Sequence, residues 1–325
     1  MEKNGVGLTP PGAQAGRKKQ GYFGKLVTDV VKDYDAYLLV LPVIAFYLIF
    51  AYKPMYGAII AFKNYSPSLG IVKSPWANDY GFQHFISFFS SYYFGRVIKN
   101  TLVISLSTLI FGFPAPIILA LLLNEISSVA YKRTVQTISY LPHFISTVVL
   151  CSIIRIFTKS GGIINNMLVP LGLKSGDMLG HANYFVPLYV ISGIWSEVGW
   201  GSIIYLAALS GIDQELYEAA RIDGANRWKQ TLHVTLPGIL GTIMILFILR
   251  MGSVMNVGYE KIILLYNQGI YDTADVISTF VYRRGLLEFS WSYSSAVGLF
   301  NSVINFVLVV TFNKLSSKFS EYSLW

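Results

Sequence analysis

The sequence is short of charge. Acidic and basic residues make up 13% of its 325 residues, about half the share found in an ordinary soluble domain. With 54% hydrophobic and 15% aromatic residues, too little polar surface remains to clothe a water-soluble globule. The same balance excludes intrinsic disorder. Cysteine is nearly missing: Cys151 stands alone, which excludes an internal disulfide framework and any multi-cysteine metal site. The four histidines, His84, His143, His181 and His233, show no metal-ligand spacing. No G-x-x-x-x-G-K-[ST] segment occurs, so the chain has no phosphate-cradling loop; Gly24-Lys25 lacks both the upstream glycine and the following hydroxyl. H-E-x-x-H and G-x-S-x-G are missing as well, and no nucleophile–base or metal constellation supports an enzyme. The net charge of +8 would suit nucleic acid only on a soluble basic face, and none is evident. In a membrane chain such an excess gathers at the cytoplasmic surface, beside anionic lipid.

What is present is a series of long apolar runs. A helix crossing about 30 Å of hydrocarbon needs about 20 largely apolar residues. Six segments meet this: Tyr37–Phe62, Thr101–Leu123, Val135–Phe157, Tyr184–Leu209, Gly238–Val257 and Ser295–Phe312. Pro54 should kink or end the first, where Lys53 snorkels outward, while Pro114 and Pro116 are tolerated in the second if neighbouring helices shield the freed carbonyls. The fold class expected is therefore an all-α integral membrane protein with six transmembrane helices. Residues 1–36 read as a cytosolic basic tail, with 22–35 as a short amphipathic helix on the membrane surface; 37–325 read as one transmembrane domain. Basic residues are nearly balanced between the two sides. Those near the first span weigh most, and Arg17, Lys18, Lys19, Lys25 and Lys32 place both termini inside. On that topology residues 63–100, 158–183 and 258–294 face outward, and 124–134 and 210–237 face inward.

The long inner loop, 210–237, carries the best signal. Asp213 suits an N-cap, and Glu215 lies in the first turn, where the helix dipole favours an acid. Leu216, Ala219 and Ala220 recur at helical spacing. Gly224 breaks this helix, because glycine turns there without steric cost. A second helical stretch follows at Arg227–Val234, and Pro237 sits where a helix tolerates proline. Two short helices bent at a glycine make a compact knob. Its paired alanines let another surface approach the backbone, and Glu218 and Arg221 supply charge at the contact.

Glu218-Ala219-Ala220, three residues, Gly224, nine residues, then Val234-Thr235-Leu236-Pro237 resembles the EAA loop of binding-protein-dependent ABC importer permeases, E-A-A-x3-G-x9-I-x-L-P. Valine for isoleucine at 234 is the one departure within the motif, and Gln214 stands where relatives often start the helix with proline. Segments 111–126, 138–144, 194–209 and 263–286 are similar to the carbohydrate-importing branch, in particular to Gram-positive permeases for oligosaccharides or polysaccharide fragments. The resemblance covers about residues 34–325. It implies the type I ABC importer permease fold and a multi-pass protein of a Gram-positive cell membrane. The implied partners are a second permease in a heterodimer, two cytosolic ATPase subunits, and an extracellular lipid-anchored binding protein that delivers carbohydrate. It also implies that this chain binds no cofactor and catalyses nothing, with ATP and Mg at the partner ATPases. Glu218, Ala219, Ala220, Arg221, Asp223, Gly224, Leu236 and Pro237 would then couple to the ATPase.

Ionisable residues within spans are costly and point to function. Glu197 and Arg250 stand out. Each lies 12 residues from the inner end of its expected span, near the membrane midplane. They should lie side by side or line one polar pathway, as a structural pair or in contact with substrate; Arg155 lies nearer the outer end. Trp195, Trp200, Tyr205 and Tyr259 can stack on sugar rings or belong to lipid belts and packed cores. Asn256, Asn301 and Asn305 can bond sugar hydroxyls or bridge helices. His143, after Pro142, reads as a packed core histidine. The rival function, an ion-coupled secondary transporter, predicts paired broken helices and related halves, and neither is visible.

Overall fold

The computed structural model describes residues 32–319, apart from 169, 171 and 173–175. The expected basic tail and most of the 22–35 helix lie outside the described residues. The chain divides into two units, Met1–Gly57 and Ala58–Trp325. The helices that matter below are α1 (Tyr34–Phe62), α2 (Tyr92–Asn124), α3 (Val129–Tyr140), α4 (Thr147–Thr158), α5 (Ala182–Ser210), α6 (Gln214–Ile222), α7 (Arg227–Gly238), α8 (Leu240–Met251), α9 (Tyr259–Leu265), α10 (Ile277–Tyr282) and α11 (Trp291–Phe319). Among the described residues no strand forms; Lys63 and Trp76 share one isolated bridge.

Among the described residues five stretches are long and apolar enough to cross a membrane: α1, α2, Thr147–Leu168, α5 and most of α11. The pair α7–α8, bent by 59°, completes a sixth. The expected spans therefore exist, with corrected limits. Val135–Phe157 is not one helix. Pro142 cannot donate to an α-helical ladder, so α3 stops at Tyr140, Leu141–Phe144 tightens into a 3-10 turn, and the chain runs extended through Ile145 and Ser146. The Ser146 hydroxyl then accepts from the Val149 amide and starts α4. Gly238–Val257 is also interrupted: Ile239 leaves helical geometry at φ −104° and ψ 5°, and the helix ends at Met251. At the other spans the helices overrun the apolar runs, since Ser91 caps α2 well before Thr101.

At three prolines the helices use a common device. A five-residue π turn stands at Leu48–Tyr52, at Thr108–Gly112 and at Thr231–Thr235, two residues before Pro54, Pro114 and Pro237 respectively. Proline lacks an amide hydrogen and its ring collides with the carbonyl four residues back. An extra residue in the preceding turn moves that carbonyl away, so the helix continues. Pro54 thus neither ends α1 nor leaves it regular.

Within the second unit, α5 is the central mast. Its close approach to α3 depends on Gly199, where a Cβ would stand 2.0 Å from the Ser139 carbonyl oxygen. Small residues at such crossings let backbones touch. Away from the 210–237 loop, Asp275 joins α2 to the segment before α10. Both its carboxylate oxygens accept from Arg283, at 2.7 and 3.2 Å, and Thr279 donates to it at 2.9 Å. Arg96 of α2 lies 3.9 Å away and also pairs with Asp272.

Candidate functional site

The 210–237 segment folds as a helical hairpin. The Asp213 carboxylate accepts from the Glu215 amide at 3.0 Å and opens α6. Gly224 takes φ +74° with nothing within 4 Å of its missing Cβ, so glycine is needed there for backbone conformation and not for space. The Asn226 side chain accepts from the Lys229 amide and opens α7. A bond of 3.0 Å between the Tyr217 hydroxyl and Thr235 Oγ1 holds the two helices together. Arg227 reaches Glu125 at the end of α2 at 3.4 Å, and Gly238 lets Ile212 pack against the bend.

Glu218, Ala219, Arg221, Asp223, Gly224 and Pro237 are exposed on this hairpin, and Ala220 and Leu236 are half-buried. Tyr217, not the Leu216–Ala219 stripe, is the side chain packed toward the spans. Leu216 and Ala219 therefore face out, together with two residues that sequence reasoning passed over. Ile222 is 86% exposed and Trp228 72%. The signal in the sequence was their presence in a polar loop, off the regular stripe.

Between the spans lies a cavity of about 610 Å³, walled by α2, α4, α5, α8 and α9. Glu197, Tyr205 and Arg250 line it, with Glu260 and Lys261 from the segment after α8. Glu197 stands 13 residues before the end of α5, about 20 Å at 1.5 Å per residue and near mid-depth of a ~30 Å core. Glu197 and Arg250 share this cavity without pairing. The partner of Glu197 is His143 of the α3–α4 break, whose Nδ1 lies 3.0 Å from the carboxylate. His143 also stacks on Trp200, centroids 4.5 Å apart and planes within 2°. It is thus a bridge between α5 and the break, not the packed core histidine expected. The Arg250 side chain makes no ion pair and donates no hydrogen bond among the described residues. Lys261 donates to the Tyr189 carbonyl at 2.9 Å and lies over its ring.

The remaining candidates lie elsewhere. Trp195 borders a small apolar recess of about 260 Å³ beside α4. Asn256 accepts from Asn301 at 2.8 Å and from Asn305 at 3.0 Å, and Asn305 accepts from the Met255 amide. These three amides tie the end of α8 to α11. Tyr259 lines a separate cavity near the start of α11.

An exposed hairpin with the E-A-A-x3-G spacing, projecting from a bundle of broken spans around a cavity, matches known transport proteins. The profile of the binding-protein-dependent transport system inner membrane component family fits residues 112–319. The chain belongs to that family. Protein LplB of Bacillus subtilis is 45% identical to this permease over 295 residues, spanning 90% of this chain and 92% of that protein. The polygalacturonan/rhamnogalacturonan transport system permease YteP of the same organism is 41% identical, covering 93% of each. A chain from a crystal structure of a bacterial alginate ABC transporter, in complex with an alginate pentasaccharide-bound periplasmic protein, superposes with a TM-score of 0.85. It has 43% identity and covers 92% of this chain and 100% of that one. This permease accordingly has the type I ABC importer fold. It is a multi-pass membrane component of a binding-protein-dependent ABC system, a translocation subunit and not an enzyme. Nothing in these likenesses supports the ion-coupled alternative.

Proposed function

We propose that this permease passes carbohydrate oligomers through the cavity that holds Glu197 and Arg250, and that carboxylate-bearing sugars suit it best. Arg250 carries the reading. A guanidinium within a span is costly unless paired or wetted; that of Arg250, exposed to the cavity in the last turn of α8, makes no ion pair or hydrogen bond among the described residues. Its planar fork matches a carboxylate in two parallel bonds. The relatives named for polygalacturonan, rhamnogalacturonan and alginate transport lend support. The permease would work with a second permease, two cytosolic ATPases that hold ATP and Mg, and a lipid-anchored extracellular binding protein. Both termini would face the cytoplasm of a Gram-positive cell.

In this mechanism, closure of the ATPases pushes on Glu218, Ala219, Ile222 and Trp228, and Gly224 with the Tyr217–Thr235 bond keeps the hairpin rigid enough to act as a lever. The spans then open outward to receive sugar, and hydrolysis restores the inward state. The energy comes from unequal ATPase binding to the two states.

The test uses the assembled transporter in proteoliposomes. Arg250→Gln should lower kcat/KM for uronate oligomers by about 10- to 100-fold, the worth of a charge-assisted bond, and should spare neutral oligomers. Glu218→Lys and Gly224→Val should release the ATPase in pull-downs and abolish uptake of both. Equal loss for neutral and acidic sugars in Arg250→Gln would remove the acidic preference, and normal uptake in both hairpin variants would remove the coupling role.

A further inference from the structure

A second cavity, of about 600 Å³, lies where α9, α10 and the first turns of α11 meet. Chain direction puts it at the end away from the hairpin, because α8 leads away from the hairpin and α11 starts there. Its size falls within the range of small-molecule sites, about 300–1,000 Å³, and no charged residue lines it. Four rings do. Tyr259 and Tyr282 lie nearly parallel, centroids 5.9 Å apart and planes at 24°. Tyr65 and Trp291 meet edge to face at 5.9 Å. Tyr65 is fixed there by its amide, which donates to Ser292 Oγ at 2.9 Å.

Among these rings sits a hydroxyl without a partner. Ser294 is 6% exposed, and its Oγ is buried with no hydrogen bond. Such orphans are rare because desolvating a hydroxyl without a bond is costly. Gly285 packs against it so closely that a Cβ there would stand 3.0 Å from the serine, whereas one turn further along α11, at Gly298, a Cβ would meet nothing within 4 Å; the hydroxyl reaches that open side by rotating about its Cα–Cβ bond. A lipid tail would cover the rings and leave Ser294 unmet. A pyranose does both, laying its C–H face on an aromatic ring and offering a hydroxyl at the edge. The wall of Tyr65 and Trp291 also borders an adjoining pocket of about 570 Å³ with Asn64 and His84, so a chain of sugars could continue past it.

We propose that this aromatic cavity is a second carbohydrate subsite, which holds the uncharged face of a sugar ring from the same oligomer whose other part occupies the Arg250 cavity. It rests on the carbohydrate reading above. The test measures transport by the complete reconstituted system with short and long members of two series, oligogalacturonides and cello-oligosaccharides. For whichever series is imported, Tyr259→Ala and Ser294→Ala should raise KM for the long members by about 3- to 10-fold. The kcat should be unchanged, the disaccharide unaffected and Tyr259→Phe close to wild type. Folded variants that handle long and short members as the wild type does would overturn the subsite alone. So would a phospholipid that co-purifies with the wild type and is lost from Tyr259→Ala, seen by native mass spectrometry. Wild-type failure to import either series would instead remove the carbohydrate reading and the subsite with it.

Discussion

Asp275 has no exposed surface, and its carboxylate gathers Arg283, Thr279 and the more distant Arg96 at one point. Removing one member of a buried pair strands the other charge, which typically costs about 3–5 kcal/mol. Asp275→Ala should therefore sharply lower the unfolding temperature of the detergent-solubilised permease; an unchanged temperature would mean that Arg283 is well solvated without it. Gly199 and Gly298 make a matched pair for the same measurement. Gly199→Ala drives a methyl into the Ser139 carbonyl and should destabilise by about 1–3 kcal/mol or more, whereas Gly298→Ala meets open space within α11 and should raise stability by up to about 1 kcal/mol. The charges of the central cavity predict a different pattern. Glu197 contacts His143 and not Arg250, so a double-mutant cycle on uptake should couple Glu197→Gln to His143→Gln, by no more than about 1 kcal/mol for a pair this exposed. Stronger coupling to Arg250→Gln would mean that the transporting state brings together the two charges that this state keeps apart.

At the scale of elements, the hairpin is held by local devices, and each can be removed singly. Asp213→Ala deletes the α6 cap and should cost about 1 kcal/mol. The loss should be read as faster amide exchange across Gln214–Ile222 with protection in α5 unchanged; equal exchange in both proteins would place the stability of α6 elsewhere. These devices were legible in the sequence because they are local. Asp213, Gly224 and Pro237 act within one or two turns, and the apolar runs declared the spans by length alone. The break at Pro142 was harder to read, because an apolar run hides a helix end when Ser146 can restart the helix four residues later. The π turns ahead of Pro54, Pro114 and Pro237 leave no compositional trace. Contacts between distant segments were the least visible. Glu197 and His143 lie 54 residues apart, and hydropathy and spacing carry no information about which mid-span acid meets which base. The aromatic cavity draws on Tyr65 and Trp291, separated by most of the chain, and only their placement by α11 makes them one wall.

For the whole molecule, the spans wall a cavity and display an exposed hairpin, but the sequence carries no loop that could draw work from ATP. The family supplies binding-protein-dependent transport components, and among the described residues nothing covers Ile222 and Trp228 of the hairpin. A transition between inward and outward states requires an agent that binds one state better than the other, and moving from 1:99 to 99:1 takes about 5.5 kcal/mol of such preference. This polypeptide alone therefore has no means to drive the cycle. Proteoliposomes that contain only this chain should neither hydrolyse ATP nor concentrate sugar, and adding the partners proposed above (a second permease, ATPases and a binding protein) should confer both together. Adding all but the ATPases should confer neither. Accumulation by the lone chain under an imposed proton or sodium gradient would contradict this, because it would require an ion-coupling site in a cavity where Glu197 is already paired with His143.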